Sequence, residues 1–365
     1  MSEKVCVEEG IFLAAYSSEI SKEMGVFYNP EMKLNRDISL LLLKNYFSKK
    51  ISYCDPLCAS GIRELRFLKV IPETFASIVA GDISPSSLAD FRLHLKKNNL
   101  VSEKLQIIEG NALSTLAKYY YDCIELDPFG SPVPFLDLAI QRVKHNGVLS
   151  LTATDTAALC GAKPKVGLRR YGIKMGRVYF EEEFGVRNLA AAAISQGAKH
   201  DCALVPLLAY SYKHYYRIFF KVLRNKNEVH KCLSTLKYFL YDEKTQECMI
   251  SDVELEHSYG KTFVGELNNR ELLGKMLGSL DLLADSRLTE KLLLALREEE
   301  AVFGYVNYHK LQKAFTFSSS MKADELVEGL RHLGYGASRV HDNPLGIKTT
   351  APSTLLCRVL KEKEA

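Results

Sequence analysis

From Ile51 to Thr152 short apolar runs alternate with helical stretches, and no other feature restricts the fold of this chain as much. Ile51-Ser52-Tyr53-Cys54-Asp55 reads as a strand. A loop of small residues, Pro56 to Gly61, leads from it into a helix from Ile62 to about Val70. Ser77 to Asp82 reads as a second strand and Ser86 to Asn98 as a helix. Leu105 to Glu109 is a third strand and Asp122 to Asp127 a fourth. A helix from Val133 to Lys144 and a fifth strand from Gly147 to Thr152 complete the series. Strands alternating with helices call for a parallel sheet covered on both faces. Such sheets hold ligands at the carboxyl ends of their strands, so those ends are where chemistry is expected.

The first two ends suggest a nucleoside. The loop Asp55…Ala59-Ser60-Gly61 opens a helix, and Asp82 closes the next strand, where an acid can hydrogen-bond ribose hydroxyls. The G-x-G-x-x-G run that brings backbone close to a pyrophosphate is missing, and one glycine remains. S-adenosylmethionine fits this pattern, because it has adenosine and ribose but no phosphate. Asp82 alone is weak evidence, since an acid ending a strand is as often a cap or turn residue.

The fourth end is more specific. Tyr121-Asp122-Cys123-Ile124-Glu125-Leu126 runs into Asp127-Pro128-Phe129-Gly130-Ser131-Pro132, where the prolines and glycine stop the strand. A carboxylate and a ring at this point make a place for something flat that carries an amino group. The exocyclic amine of a base is a poor nucleophile because its lone pair is delocalised. An acceptor for its N–H groups can draw the nitrogen toward tetrahedral geometry and aim that lone pair. Asp127 can accept one N–H and the carbonyl of Pro128 another, while Phe129 stacks on the base, a contact worth about 1–3 kcal/mol. The plainer reading is a structural turn with a buried phenylalanine.

Upstream, Phe27 and Tyr28 stand beside Asn35 and Arg36, polar groups suited to gripping a carboxylate. Asn29-Pro30 marks a turn, and Asp37 is expected to cap a helix from Ile38 to about Phe47. Downstream, Lys163, Lys165, Arg169, Arg170, Lys174 and Arg177 occur in one span, with no acid between Thr156 and Phe180. Pro164, Gly167, Gly172 and Gly176 suggest a loop. A charge run is usually a solvated face, but this one follows the fifth strand, which favours phosphate contact. Glu181 to Lys199 reads as a helix, and Leu204–Tyr210 with Tyr215–Leu223 as an antiparallel pair closing the sheet.

The 365 residues suffice for two domains, expected at 1–224 and 225–365. In the second, strands are expected at 236–241 and 247–250, and helices at 272–283, 288–300, 307–315 and 322–333. Arg331, Arg339, His341 and Lys348 there suggest a docking surface for RNA. The hydrophobic share of 47% and net charge of +4 are those of an ordinary globular protein. No apolar run is long enough to span a membrane and no secretory signal is visible. Nine cysteines without C-x-x-C pairs suggest reduced thiols in a cytoplasm. Cys232, Cys248 and His257 lack zinc-like spacing, so no metal is expected.

Taken together the motifs resemble the tRNA (guanine-26-N2) dimethyltransferases, over essentially the whole chain and in an archaeal form. The resemblance rests on Val26-Phe27-Tyr28-Asn29-Pro30…Asn35-Arg36-Asp37, Ala59-Ser60-Gly61-Ile62-Arg63…Arg66 and Asp127-Pro128-Phe129-Gly130-Ser131-Pro132. It continues in Arg170-Tyr171-Gly172, Tyr215-Tyr216-Arg217, Ala337-Ser338-Arg339-Val340-His341 and Gly346-Ile347-Lys348-Thr349. It implies a class I (Rossmann-like) S-adenosylmethionine-dependent methyltransferase domain of α/β class with a smaller C-terminal α/β domain that docks tRNA. It implies that Arg36 and Arg66 lie in the S-adenosylmethionine site, that Asp82 binds the ribose, and that Asn111 and Ala112 contact the adenine. It also implies that Phe27 and Phe129 sandwich a guanine taken out of its stack, with Asp127 contacting N2. Many relatives carry a cysteine-rich cluster before a stretch matched here by Tyr259 to Gly265. Only Cys248 stands upstream of it here. A metal-free monomer of the cytoplasm is expected.

Two other functions compete. An amino-methyltransferase acting on adenine N6 in DNA would use similar chemistry, but Phe129-Gly130 replaces an aromatic directly after two prolines. A non-catalytic RNA-binding protein with a degenerate fold would bind no S-adenosylmethionine.

Overall fold

The computed structural model describes residues 3–16 and 28–362. Strands β1 (Glu3–Glu8) and β2 (Ile11–Tyr16) form an antiparallel hairpin that turns at Glu9-Gly10, both at positive φ. Helix α1 (Lys33–Tyr46) follows a short turn in which the Asn29 side chain accepts from the Glu31 N–H at 2.9 Å. The helix starts one turn before the expected Asp37 cap. Asp37 lies inside it, 2% exposed, because Lys33 one turn back and Arg66 both pair with its carboxylate.

The alternation produces β3 (Ile51–Asp55), α2 (Ile62–Val70), β4 (Phe75–Asp82), α3 (Pro85–Lys97), β5 (Leu105–Glu109) and α4 (Ala112–Leu116). It continues through β6 (Tyr121–Leu126), α5 (Val133–Arg142) and β7 (Val143–Ala153). Pro85 suits the first turn of α3, where the Ser84 hydroxyl caps the Ser87 N–H. All pairings among β3, β4, β5, β6 and β7 are parallel. β6 is buried along its length, as a strand covered on both faces must be.

Short α6 (Thr156–Leu159) and α7 (Pro164–Tyr171) come next, then α8 (Glu181–Ala198), whose first turn carries Glu181, Glu182 and Glu183, the charge a helix start favours. β8 (Cys202–Tyr212) and β9 (Tyr215–Arg224) are antiparallel. The seven-stranded sheet has the order β5-β4-β3-β6-β7-β9-β8. The basic span is therefore helical where a loop was expected. Pro164 occupies the first turn of α7, and a side chain at Gly167 would strike the Ala158 carbonyl at 2.7 Å.

The remainder is α9 (Lys226–Ser234), β10 (Leu236–Tyr241), β11 (Cys248–Ser251), β12 (Tyr259–Phe263), α10 (Arg270–Leu277), α11 (Arg287–Glu298), β13 (Val306–Asn307) and α12 (Tyr308–Ala314). The last elements are α13 (Ala323–His332), β14 (Ala337–Arg339), β15 (Gly346–Thr349) and α14 (Ser353–Glu362). Two three-stranded sheets form here, β11-β10-β12 and β13-β15-β14. No helix among the described residues is long and apolar enough to cross a membrane.

The chain divides into two compact units, and not at residue 225. The first takes in the chain to Pro128, Pro134–Leu151 and Arg270–Leu293. The second takes in Phe129–Val133, Thr152–Asn269 and the chain from Leu294. α1 and α10 pack together inside the first unit, which is why a segment so late in sequence belongs to it. With no tryptophan, rings of Phe and Tyr fill both cores. Tyr53, Phe67 and Phe75 cluster in the first, and Phe180, Phe184, Phe239 and Phe303 in the second.

The four basic residues expected to form a docking surface near the C-terminus are engaged within the protein. Lys348, 5% exposed, pairs with Glu183 at 3.1 Å and Glu299 at 3.4 Å. His341 Nδ1 lies 2.6 Å from Glu299. The Arg331 Nε–H donates to the Ala337 carbonyl, and Arg339 pairs with Asp324. Lys348 and His341 fasten the second unit from inside, while Arg331 and Arg339 make their contacts nearer its surface.

Candidate active site

Asp127 follows the last residue of β6 and closes the first unit with Pro128. Its Oδ2 accepts from Arg63 Nη2 at 2.5 Å, a charge-assisted bond. Arg63, in the first turn of α2, is 6% exposed and held on several sides. Its Nη1 donates to Asn35 Oδ1 and to Ser39 Oγ, each at 2.9 Å. Asn35 and Ser39 are four apart on α1 and so share a face. The carboxylates of Asp55 and Glu125 lie farther from the guanidinium, each at 3.7 Å. Glu125 and Asp127 are two apart at a strand end and fall on one side of the sheet. Glu125 Oε2 accepts from Ser150 Oγ at 3.0 Å.

This is a crowded acidic pocket with one guanidinium at its centre. Burial, then repulsion from Glu64, pushes the Asp55 carboxyl well above its ordinary range. Burial pushes Glu64 up to about 7. Burial thus favours the neutral form of both acids.

The cofactor candidates line the carboxyl ends of β3, β4 and β5. Asp55 Oδ1 accepts from the Leu57 N–H, and Asp82 fastens the loop that follows, with Oδ2 accepting from Ala59 N–H at 3.0 Å and Oδ1 from Ser84 N–H at 2.8 Å. A carboxylate has about four acceptor positions, so Asp82 retains capacity for hydroxyl donors. Gly61 adopts φ +71°, and a Cβ there would lie 2.2 Å from the Phe91 ring. That glycine serves the packing of the fold, and no glycine in the loop is reserved for a pyrophosphate. Asn111 caps α4 through Oδ1 on the Leu113 N–H at 2.8 Å, and Ala112 is buried. Ile83 and Leu113, neighbours of Asp82 and Ala112, are exposed at 70% and 40%. Acceptors for hydroxyls, flanked by exposed apolar side chains and free of phosphate-binding glycines, fit an adenosine without phosphates.

Arg36 and Arg66 meet at Glu8. Arg36 Nε donates to Glu8 Oε2 at 2.9 Å, and its Nη2 donates to Glu8 Oε1 at 2.8 Å and to the Asn29 carbonyl at 3.1 Å. The Tyr28 hydroxyl also donates to Glu8. Arg66, 1% exposed, reaches Glu8 at 3.4 Å and Asp37 at 2.5 Å. Burial would raise the Glu8 carboxyl, but Arg36 and Arg66 outweigh it and hold Glu8 below its ordinary value. Arg66 and Arg36 thus share one carboxylate, that of Glu8.

The second unit begins at Phe129, whose ring is 54% exposed. The loop that carries it is fastened at each following residue. The Gly130 N–H donates to Thr154 Oγ1 at 2.7 Å, and the Thr154 N–H returns to the Gly130 carbonyl at 3.0 Å. Gly130 needs φ +95°, a conformation other residues strain to reach. The Tyr171 hydroxyl, at the end of α7, lies 2.8 Å from Ser131 Oγ and 2.6 Å from Asp155 Oδ1. Of the basic residues expected to touch phosphate, Arg170 pairs with Asp155 at 2.8 Å and Lys174 with Glu254 at 3.3 Å. Lys163, Lys165 and Arg169 are exposed on or beside α7. Phe27, the second ring of the expected clamp, lies outside the described residues.

Arg63, Glu8 and Glu64 carry the geometry without having been singled out by sequence. Arg63 and Arg66 are three apart in Ile62-Arg63-Glu64-Leu65-Arg66, so one helix face bears two cations. That was the available signal. Among the described residues no group of three or more His, Cys, Asp or Glu is placed to hold a metal ion.

Residues 3–361 match the family described as N2,N2-dimethylguanosine tRNA methyltransferase. The tRNA (guanine(26)-N(2))-dimethyltransferase of Pyrococcus abyssi is 35% identical over 353 residues, covering 92% of each chain. The tRNA (guanine(26)-N(2)/guanine(27)-N(2))-dimethyltransferase of Aquifex aeolicus is 33% identical, covering 84% of this chain and 83% of its own. Among solved structures, Trm1 from Pyrococcus horikoshii in complex with S-adenosyl-L-methionine superposes with a TM-score of 0.90 at 29% identity. That match covers 98% of this chain and 99% of the other.

Proposed function

The chain belongs to the N2,N2-dimethylguanosine tRNA methyltransferase family, and from that premise we propose that it methylates the exocyclic N2 of guanosine 26 in tRNA once or twice, using S-adenosylmethionine. The observation that carries the catalytic reading is Asp127. One carboxylate oxygen is tied to Arg63, and the residue itself follows directly on the last residue of a central strand.

S-adenosylmethionine supplies the methyl group on a sulfonium that leaves as a neutral thioether. The residues of the chain have the remaining tasks. Asp127 accepts an N2–H proton of guanine and aims the nitrogen lone pair, and the Pro128 carbonyl accepts the other N–H. Phe129 stacks on the base, with Phe27 on its opposite face. Arg36 faces the methionine carboxylate, and Arg66 steadies it through Glu8. Asp82 takes the ribose hydroxyls, and Asn111 and Ala112 edge the adenine. Lys163, Lys165 and Arg169 contact tRNA phosphates, joined by Arg170 and Lys174 where tRNA displaces their carboxylate partners. The enzyme is read as a metal-free monomer of the cytoplasm; its free cysteines, most of those described being buried, suit a reducing compartment.

Incubation of the purified protein with labelled S-adenosylmethionine and either unmodified tRNA or duplex DNA tests the reading. Nucleoside mass spectrometry should find mono- and dimethylguanosine, mapped to position 26 of the tRNA. Label in DNA alone, or none in tRNA, overturns it.

A further inference from the structure

We propose that Arg63 is a positioning residue for Asp127, and that its hold on Oδ2 sets the direction in which Oδ1 meets the amine in both methyl transfers. This rests on the assignment of Asp127 to the guanine amine.

The distances distinguish this role from charge neutralisation alone. If Arg63 served to offset the buried acids beneath it, its guanidinium would close on Asp55 and Glu125, whose side chains are 4% and 2% exposed. It stands 3.7 Å from each. It instead bonds at 2.5 Å to Asp127, the most exposed of the three at 17%. Its Nη1 donates to the neutral oxygens of Asn35 and Ser39, which hold the guanidinium plane without competing for its charge. A plane held at Nη1 restricts the direction from which Nη2 meets the carboxylate.

The chemistry gives this direction a consequence. At each transfer the amine nitrogen gains one N–CH3 bond as the sulfonium's S–CH3 bond breaks and its electron pair stays on the departing thioether, and the nitrogen loses one proton, which Asp127 Oδ1 receives and returns to solvent. In the first transfer the nitrogen carries two hydrogens, and either can meet Oδ1 while the other meets the Pro128 carbonyl. In the second transfer one hydrogen is left, and it must turn to that same oxygen with the new methyl turned away. A carboxylate free to swing can still serve an amine with two donors but serves an amine with one donor poorly. The clamp therefore matters more to the second transfer than to the first.

Arg63→Lys keeps the charge and removes the fork, while Asn35→Ala combined with Ser39→Ala keeps Arg63 and frees its plane. Misplacement of a catalytic group by about 1 Å costs on the order of a hundredfold in rate. Arg63→Lys is expected to lose turnover on that scale, with KM for tRNA and calorimetric affinity for S-adenosylmethionine near wild type. Both variants should raise the monomethylguanosine share of product in tRNA nucleosides. Wild-type turnover and product ratio in both variants overturn the proposal, as does loss of activity in strict proportion to loss of cofactor affinity. If Arg63→Lys melts early, the Asn35/Ser39 variant decides the matter by product ratio. A wild-type protein that does not methylate tRNA would instead refute the assignment on which this rests.

Discussion

Glu8 and Arg36 face each other as carboxylate and guanidinium fork, with Nε to Oε2 at 2.9 Å, Nη2 to Oε1 at 2.8 Å, and both residues buried. A hairpin strand before the sheet thus fixes a side chain of α1. The fork's inner edge is taken, so a ligand carboxylate would meet Nη1. Glu8→Gln replaces a charge-assisted pair by a weaker neutral contact and loosens Arg36. Calorimetry should show weaker S-adenosylmethionine binding in Glu8→Gln, and a larger loss in Arg36→Lys. Tighter binding in Glu8→Gln would mean that Glu8 competes with the cofactor's carboxylate.

Asp127→Asn keeps the shape of the side chain and abolishes its capacity to take a proton. Steady-state assays should show turnover falling by about 10²–10⁴-fold, the usual contribution of a positioned general base. Cofactor affinity should stay near normal, since Asp127 follows β6 whereas Asp82 ends β4 and Asn111 follows β5. Full activity in this variant would refute the role of Asp127.

Lys163, Lys165 and Arg169 offer three cations on or beside one short helix. Each phosphate contact removed should lower the slope of log affinity against log salt by about 1. Replacing Lys165 and Arg169 together by alanine should raise KM for tRNA and flatten that slope, with kcat far less affected. An unchanged slope would exclude α7 from the RNA contact.

Glu64 predicts a dependence of stability on pH. Its folded value is raised from 4.5 to about 7, so in that window the folded chain binds the proton more tightly than the unfolded chain. Stability therefore falls as pH rises from 4.5 to about 7, the opposite of a paired surface carboxylate. Glu64→Gln cannot ionise, and the slope of melting temperature across this range should shrink. Asp55, shifted the same way, keeps part of it. Equal slopes in the two proteins would show that Glu64 is not the group responsible.

The parallel core was legible because period, length and breakers agreed over a hundred residues, and the strand ends followed from it. Asp127 and Phe129 could be picked out because the residues around them cannot continue a strand. Glu8 could not, since its partners Arg36 and Arg66 come from helices far along the chain and only packing joins them. α7 was hidden by its own composition: Pro164 and Gly167 look like loop signals, but one starts the helix and the other lets Met175 and the Ala158 carbonyl approach. His341 and Lys348 looked like surface cations because no local pattern announces Glu183 and Glu299, which bury them. Nothing in residues 270–293 by themselves assigns them to the first unit, which packing alone decides.

The half-exposed ring of Phe129 has a thermal consequence. Its loop is tied through Gly130 to the hydroxyl and the N–H of Thr154, so the exposed part of the residue stays in water until a partner covers it. Shedding that water makes heat capacity fall on association. The enthalpy of RNA capture should grow more favourable with warming, so a single isotherm would describe one temperature and misjudge another.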